Sequence, residues 1–274
     1  MKVRWLRVLG YFTTTVLATQ AMSALVVALR GPATKGDMFE RLLRTTLAMV
    51  VPGIVALVFA RFVLRQPVRT ALDLRWRPNL VWLVAWLLPA VMTALALAVA
   101  LCAPGAKLVE PTGLLAMIPL PTPWGGLALG LLAGATVCLP GALGEELGWR
   151  GLLRTELEPL GFWRSSLIIG LFWAGWHMPA VFLGGLAGGT VVGALGLTLL
   201  LVLATPIAMA LCRRGGSVLP AALIHSSGSG VGMAAGGLVK GGHGVLPAIA
   251  QLVPVLICLL VLVAFPRLRG APSR

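Results

Sequence analysis

Leu143-Gly144-Glu145-Glu146-Leu147-Gly148-Trp149-Arg150-Gly151-Leu152-Leu153-Arg154 sets two adjacent carboxylates inside a run that otherwise reads as membrane-spanning. Four of the eight acidic residues lie between Glu145 and Glu158. An ionised carboxylate near a bilayer centre costs several kcal/mol, so an intramembrane Glu marks function by default and needs a partner. Arg150, four residues after Glu146, supplies one: it lies one helical turn on, in the favourable acid-then-base order. Glu145 points about 100° away around the same helix and has no such partner. Trp149, one turn on from Glu145, can exclude water from it, a setting that favours a general base. The competing reading is a helix-end ion network of Glu145, Glu146 and Arg150 at the water boundary.

Outward from this stretch, the composition excludes a soluble domain. The 274 residues are 58% hydrophobic and 11% charged, with a mean hydropathy of +0.96. Soluble domains are about 45–50% apolar and about 25% charged. The chain therefore reads as an all-α, polytopic integral membrane protein. Crossing a hydrocarbon layer of about 30 Å takes about 20 apolar residues. Eight such runs are expected: Tyr11–Leu29, Leu47–Val63, Leu80–Leu101, Gly126–Leu153, Ser166–Phe182, Val191–Cys212, Val218–Val239 and Val245–Phe265. They form a single membrane domain over 1–274. Residues 1–122 supply three helices and a Pro-rich connection (103–123), 123–239 the motif-bearing core, and 240–274 the last helix and a basic tail.

The formal charge of +14 reflects topology rather than a nucleic-acid partner. With both termini cytoplasmic, that side receives sixteen of the 22 basic residues, including Arg61–Arg77, Arg213-Arg214 and Arg267-Arg269. The bias supports an even number of spans and a plasma-membrane protein with both ends inside. Met1–Arg7 before an apolar run resembles a signal peptide, but the run continues to Leu29, so an uncleaved helix is preferred. Asp37, Glu40, Arg41 and Arg44 read as solvated loop charges. Cys102, Cys138, Cys212 and Cys258 read as small buried hydrophobes, since no Cys-x-x-Cys spacing occurs. The sixth span carries no charge and reads as packing scaffold, and His243 as an exposed loop residue.

Two later histidines fall at the depth of the carboxylates. At 1.5 Å per residue, Glu145 lies about 14 Å above Arg154, His177 about 20 Å above Arg164, and His225 about 17 Å above Arg214. One carboxylate and two imidazoles from three helices thus share a membrane layer, where each needs a partner. They are expected to converge on an intramembrane cavity open to the cytoplasmic side. Ser226 and Ser227 neighbour His225 in sequence but do not face it on a helix, so no Ser nucleophile with a base is present. A carboxylate with two imidazoles suits a held water, activated by Glu145 and oriented by a His, with a further donor for the oxyanion. The same set suits zinc, although His-Glu-x-x-His is absent.

Glu145-Glu146-x-x-x-Arg150, an aromatic before His177, and His225 on a later helix resemble the three motifs of the CAAX-protease and bacteriocin-processing (Abi) family of intramembrane glutamic endopeptidases. The resemblance covers roughly Pro123–Gly230. It implies Glu145 as the water-activating base, His177 as its partner on the water, and His225 in the oxyanion site, with Glu146 and Arg150 as support. It also implies no metal or other cofactor, and a peptide or membrane-protein substrate met in the lipid bilayer. Two positions depart from the family pattern. Trp173 stands four residues before His177 where Phe is usual, and Ser229 stands four after His225 where Asn is usual. The Ser229 departure keeps a non-catalytic immunity or scaffold protein open, alongside a metalloprotease or a proton-coupled carrier that uses the same residues.

Overall fold

A computed structural model describes residues 3–31, 38–109, 123–184, 186–235, 238–243 and 249–270. The described chain is an all-α bundle whose elements follow the apolar runs. Helix α1 (Trp5–Arg30) is followed by α2 (Met38–Val58), which ends in a π-helical turn, Phe59–Val63. After the short α3 (Val68–Ala71), α4 (Leu80–Leu101) begins where the Asn79 side chain accepts from the Val81 N–H at 2.9 Å, a side-chain N-cap. Strand β1 (Lys107–Leu108) precedes α5 (Pro123–Ala135) and α6 (Leu139–Glu146). The motif segment then runs through π-helical Leu147–Leu153 into α7 (Arg154–Leu157). Next come α8 (Phe162–Gly184), α9 (Val191–Gly215) and α10 (Leu219–Ala235). Strand β2 (Val239–Lys240), α11 (Leu252–Ala264) and a 3-10 turn, Pro266–Arg269, follow.

Among the described residues, five helices are long and apolar enough to cross a membrane on their own: Trp5–Arg30, Leu42–Val63, Leu80–Leu101, Phe162–Leu183 and Val191–Gly215. A sixth span is formed if Gly125–Ala135 and Leu139–Leu160, bent by 56° at their junction, are taken together. The described residues do not confirm the expected count of eight. Helix α10 has 17 residues and α11 has 13, short of the roughly 20 needed. The Pro-rich connection falls largely at 110–122, outside the described residues. Its described start takes part in a pairing the apolar pattern did not mark: Lys107 and Leu108 lie antiparallel to Lys240 and Val239.

Small residues set the helix spacings. A Cβ on Gly134 would stand 2.5 Å from Ser227 Cα, and one on Gly130 2.7 Å from Val231 Cα, so α5 and α10 touch backbone to backbone. Gly144 faces Val50 Cα of α2 at the same 2.5 Å. This contact brings the motif segment against α2 directly beside Glu145.

The charges sort to the two ends. At one end Asp73 pairs with Arg75 and Arg154, Glu158 with Arg213, and Arg269 packs over Trp163. The opposite end holds the Arg30–Glu40–Arg44 cluster and the β1–β2 pair. Glu40, expected to be a solvated loop charge, is buried and tied to both arginines, because it begins α2 just where α1 ends. Lys35 and Asp37 lie outside the described residues. Cys102 is exposed at the end of α4 rather than buried, whereas Cys212 is buried.

Candidate active site

Glu145 and Glu146 end α6, and both are 1% exposed. The π-helix that starts at Leu147 departs from the regular α-helical rise counted from the sequence; such segments often occur at functional sites. The Glu146–Arg150 pair forms as the spacing predicts, with Arg150 Nη1 donating to Glu146 Oε1 at 2.8 Å. His225 Nδ1 lies 2.8 Å from the same oxygen, a hydrogen bond between α10 and α6. Arg150 Nη2 donates to Thr205 Oγ1 at 3.0 Å, and its guanidinium carbon stands 4.1 Å from the Trp173 ring centroid. The pair is thus clamped by three further elements, α8, α9 and α10.

Glu145 takes a different partner. The indole N–H of Trp173 donates to Glu145 Oε2. Trp173 also lies edge-on to His177 and to His225, with centroids 5.9 and 5.3 Å away. One indole therefore bridges both imidazoles, the arginine and the first carboxylate. His177 Nδ1 lies 2.8 Å from the Trp173 carbonyl oxygen. A carbonyl only accepts, so His177 Nδ1 carries the proton and Nε2 is left as an acceptor. Ser229 Oγ donates to the His225 carbonyl at 3.1 Å, within its own helix.

A cavity of about 570 Å³ opens beside these groups, lined by Glu146, Arg150, Trp173, His177, His225 and Ser229 together with apolar side chains of α4, α9 and α11. Glu145 is absent from its lining; the Trp173 indole stands over it instead. The cavity does not run toward the basic end, as the sequence led us to expect. It follows α4 from Pro89 to Ala100 and α10 from Ile224 to Ala235, toward the opposite end. The reason is packing: Arg154, Cys212, Ser217 and Asp73 fill the space below the floor and are 0–4% exposed.

Residues 124–230 match the family model described as Rce1-like, type II CAAX prenyl endopeptidase. The match spans less than half of the chain. No curated protein matches the chain. The matched segment contains the charged and imidazole groups on the cavity wall and excludes α1 to α4, so α4 contributes a mainly apolar wall with Thr93 from outside it, and Gln251 also lines the cavity from outside it. Among the described residues, no three His, Cys, Asp or Glu side chains are grouped to hold a metal ion.

Sequence reasoning missed two residues of this site. Thr205 sits in the span read as scaffold, and a Thr before Pro206 in an apolar run was the available signal. Asp73 anchors Arg154 beneath Glu146 and Arg150. It is the single acid among the five arginines of 61–77, which was its signal.

Proposed function

We propose that this chain is an intramembrane endopeptidase that hydrolyses a peptide bond of a membrane-associated substrate with water activated by a Glu–His pair. The observation that carries the proposal is the cavity itself: two imidazoles, a carboxylate held by Arg150 and a serine line one 570 Å³ space in an apolar bundle. We assign the base to Glu145. Glu146 is neutralised by Arg150, and its Oε1 already accepts from Arg150 and His225, whereas among the described residues Glu145 accepts from the neutral Trp173 indole. Displacement of the Trp173 indole brings the Glu145 carboxylate to the cavity.

In this mechanism His177 Nε2 accepts one water hydrogen and orients the water, while Glu145 takes the other proton as the oxygen adds to the carbonyl carbon. The carbonyl oxygen becomes an oxyanion. His225 carrying both protons donates to it from Nε2, with Glu146 as the counter-ion on Nδ1. Glu145 then returns its proton to the leaving nitrogen as the C–N bond breaks. CAAX-type processing and processing of an exported peptide both fit this chemistry. The protein is assigned to the plasma membrane with both termini cytoplasmic, on the distribution of basic residues.

The test is cleavage of quenched fluorescent peptides, prenylated and unprenylated, by the purified protein in lipid. Turnover is expected to vanish in Glu145→Gln and to survive a chelator. Loss with chelator and recovery with zinc would transfer the assignment to a metalloprotease. A second, non-catalytic reading has one observation in its favour: the Ser229 hydroxyl is spent on its own helix carbonyl rather than offered to the cavity.

A further inference from the structure

We propose that Thr19, on α1 and outside the matched segment, is a positioning residue for His177 that acts through the Trp176 indole. The inference rests on the role given to His177 in the peptidase reading. It adds a residue that lies neither in the matched segment nor on the cavity wall.

Tyr11, Thr15 and Thr19 recur at four-residue spacing, so they share one face of α1. All three are buried, at 0–5% exposure. This side of α1 packs behind the active site. Tyr11 lies edge-on to Trp149, one turn after Glu145, with ring centroids 6.1 Å apart. Phe12 stacks at 4.4 Å on Phe172, the neighbour of Trp173. The Trp176 indole N–H donates to Thr19 Oγ1 at 2.9 Å, and Thr19 donates in turn to the Thr15 carbonyl at 2.8 Å. That second bond uses the only hydrogen of the hydroxyl, so its lone pairs face the indole and the acceptor has a fixed direction. A buried indole needs such an acceptor, and Trp176 is only 6% exposed.

Trp176 passes the constraint on to His177. Its ring is held a second time by Trp149, edge-on at 6.1 Å, and it lies edge-on to the His177 imidazole at 4.7 Å with an interplanar angle of 85°. The Trp173 ring packs on His177 at the longer distance of 5.9 Å. The bond from His177 Nδ1 to the Trp173 carbonyl fixes the tautomer but leaves the ring free to tilt about that bond. The Trp176 edge sets the tilt, and with it the direction in which Nε2 meets a water. Rate depends steeply on such alignment. Neither Thr19 nor Trp176 lines the cavity, so both act on the imidazole and not on the substrate.

The experiment is nitrogen NMR of the protein in lipid bilayers with isotope-labelled histidine rings. The chain has three histidines, and the His177 signals are assigned by their loss in His177→Asn. At a pH where the ring is neutral, the parent is expected to show one set of His177 signals, from the Nδ1-protonated tautomer. Thr19→Val keeps the side-chain shape and removes the hydroxyl; it is expected to split or broaden these signals, and Thr19→Ser to restore them. In the peptide assay Thr19→Val is expected to lower kcat about tenfold, part of the roughly 10²–10⁴ that a positioned proton-transfer group contributes, with KM unchanged and Thr19→Ser recovering the rate. Parent-like His177 signals in Thr19→Val, or a raised KM at constant kcat, overturn the proposal. So does failure of Thr19→Ser to restore the spectrum, which assigns the effect to packing alone. If Thr19→Val does not fold, Trp176→Phe, which removes the donor and keeps a ring, is held to the same outcomes. The spectra do not use turnover, so an inert parent with displaced His177 signals in Thr19→Val would end the peptidase reading and leave the positioning contact standing.

Discussion

At the scale of single residues the site turns on two neighbouring carboxylates with opposite surroundings. Glu145→Gln removes basicity with almost no change of shape, and it is expected to abolish peptide cleavage while leaving the thermal midpoint near that of the parent. Arg150→Ala leaves Glu146 buried without its cation, a change that typically costs about 3–5 kcal/mol. A large drop in thermal midpoint or yield is expected. A stable, inactive Arg150→Ala beside an active Glu145→Gln would exchange the two roles. Ser229 is the second pivot. It lines the cavity four residues after His225, as the helical spacing predicts, but its one hydroxyl is engaged with the His225 carbonyl. An Asn there carries an amide with two donors on a longer arm. Loss of one oxyanion donor costs about 10²–10³ in rate, so Ser229→Asn is expected to raise turnover by up to that factor. If the variant and the parent are both inert while Glu145→Gln leaves the cellular phenotype unchanged, the non-catalytic reading stands in place of the enzymatic one.

At the scale of elements, the hydrophobic runs located most helices but not their internal irregularities. Leu80–Leu101 matches its run residue for residue, because apolarity and the Asn79 cap agree there. The π-helix at Leu147–Leu153 and the 56° bend before the motif segment left no periodic trace beyond Pro140 and scattered glycines. The α1–α2 connection shows a charge pattern whose meaning depended on packing. Glu40 accepts from Arg30 Nη2 at 2.8 Å and from Arg44 Nε at 2.9 Å, and Arg44 also donates to the Gly31 carbonyl, so the end of α1 is tied to the start of α2. The bond from Arg30, with that from Arg44 behind it, holds the Glu40 carboxyl below its usual range. A carboxyl depressed in the folded state contributes stability above its unfolded pKa of about 4.3 and loses it as pH falls through the folded value. Thermal unfolding of Glu40→Gln and the parent should therefore differ near neutral pH and converge below about pH 4. A constant difference across that window would assign the effect to shape rather than charge.

At the scale of the whole molecule, a buried charge layer packs beneath the cavity. Matched depth, counted from basic residues, was enough to bring His177 and His225 to one cavity. It did not reveal this layer, because that depends on Asp73, a residue 81 positions away from Arg154 whose importance exists only in the packed structure. Asp73 has a positive φ of 48°, a conformation that Asp and Asn tolerate better than most residues. Asp73→Asn therefore keeps the backbone and the side-chain shape and removes only the charge opposite Arg154, which is 0% exposed. Stranding a buried cation costs about 3–5 kcal/mol, so the thermal midpoint should fall by several degrees. A variant with an unchanged midpoint would show that the layer is held by apolar packing around Cys212 and Val218 and not by the ion pair.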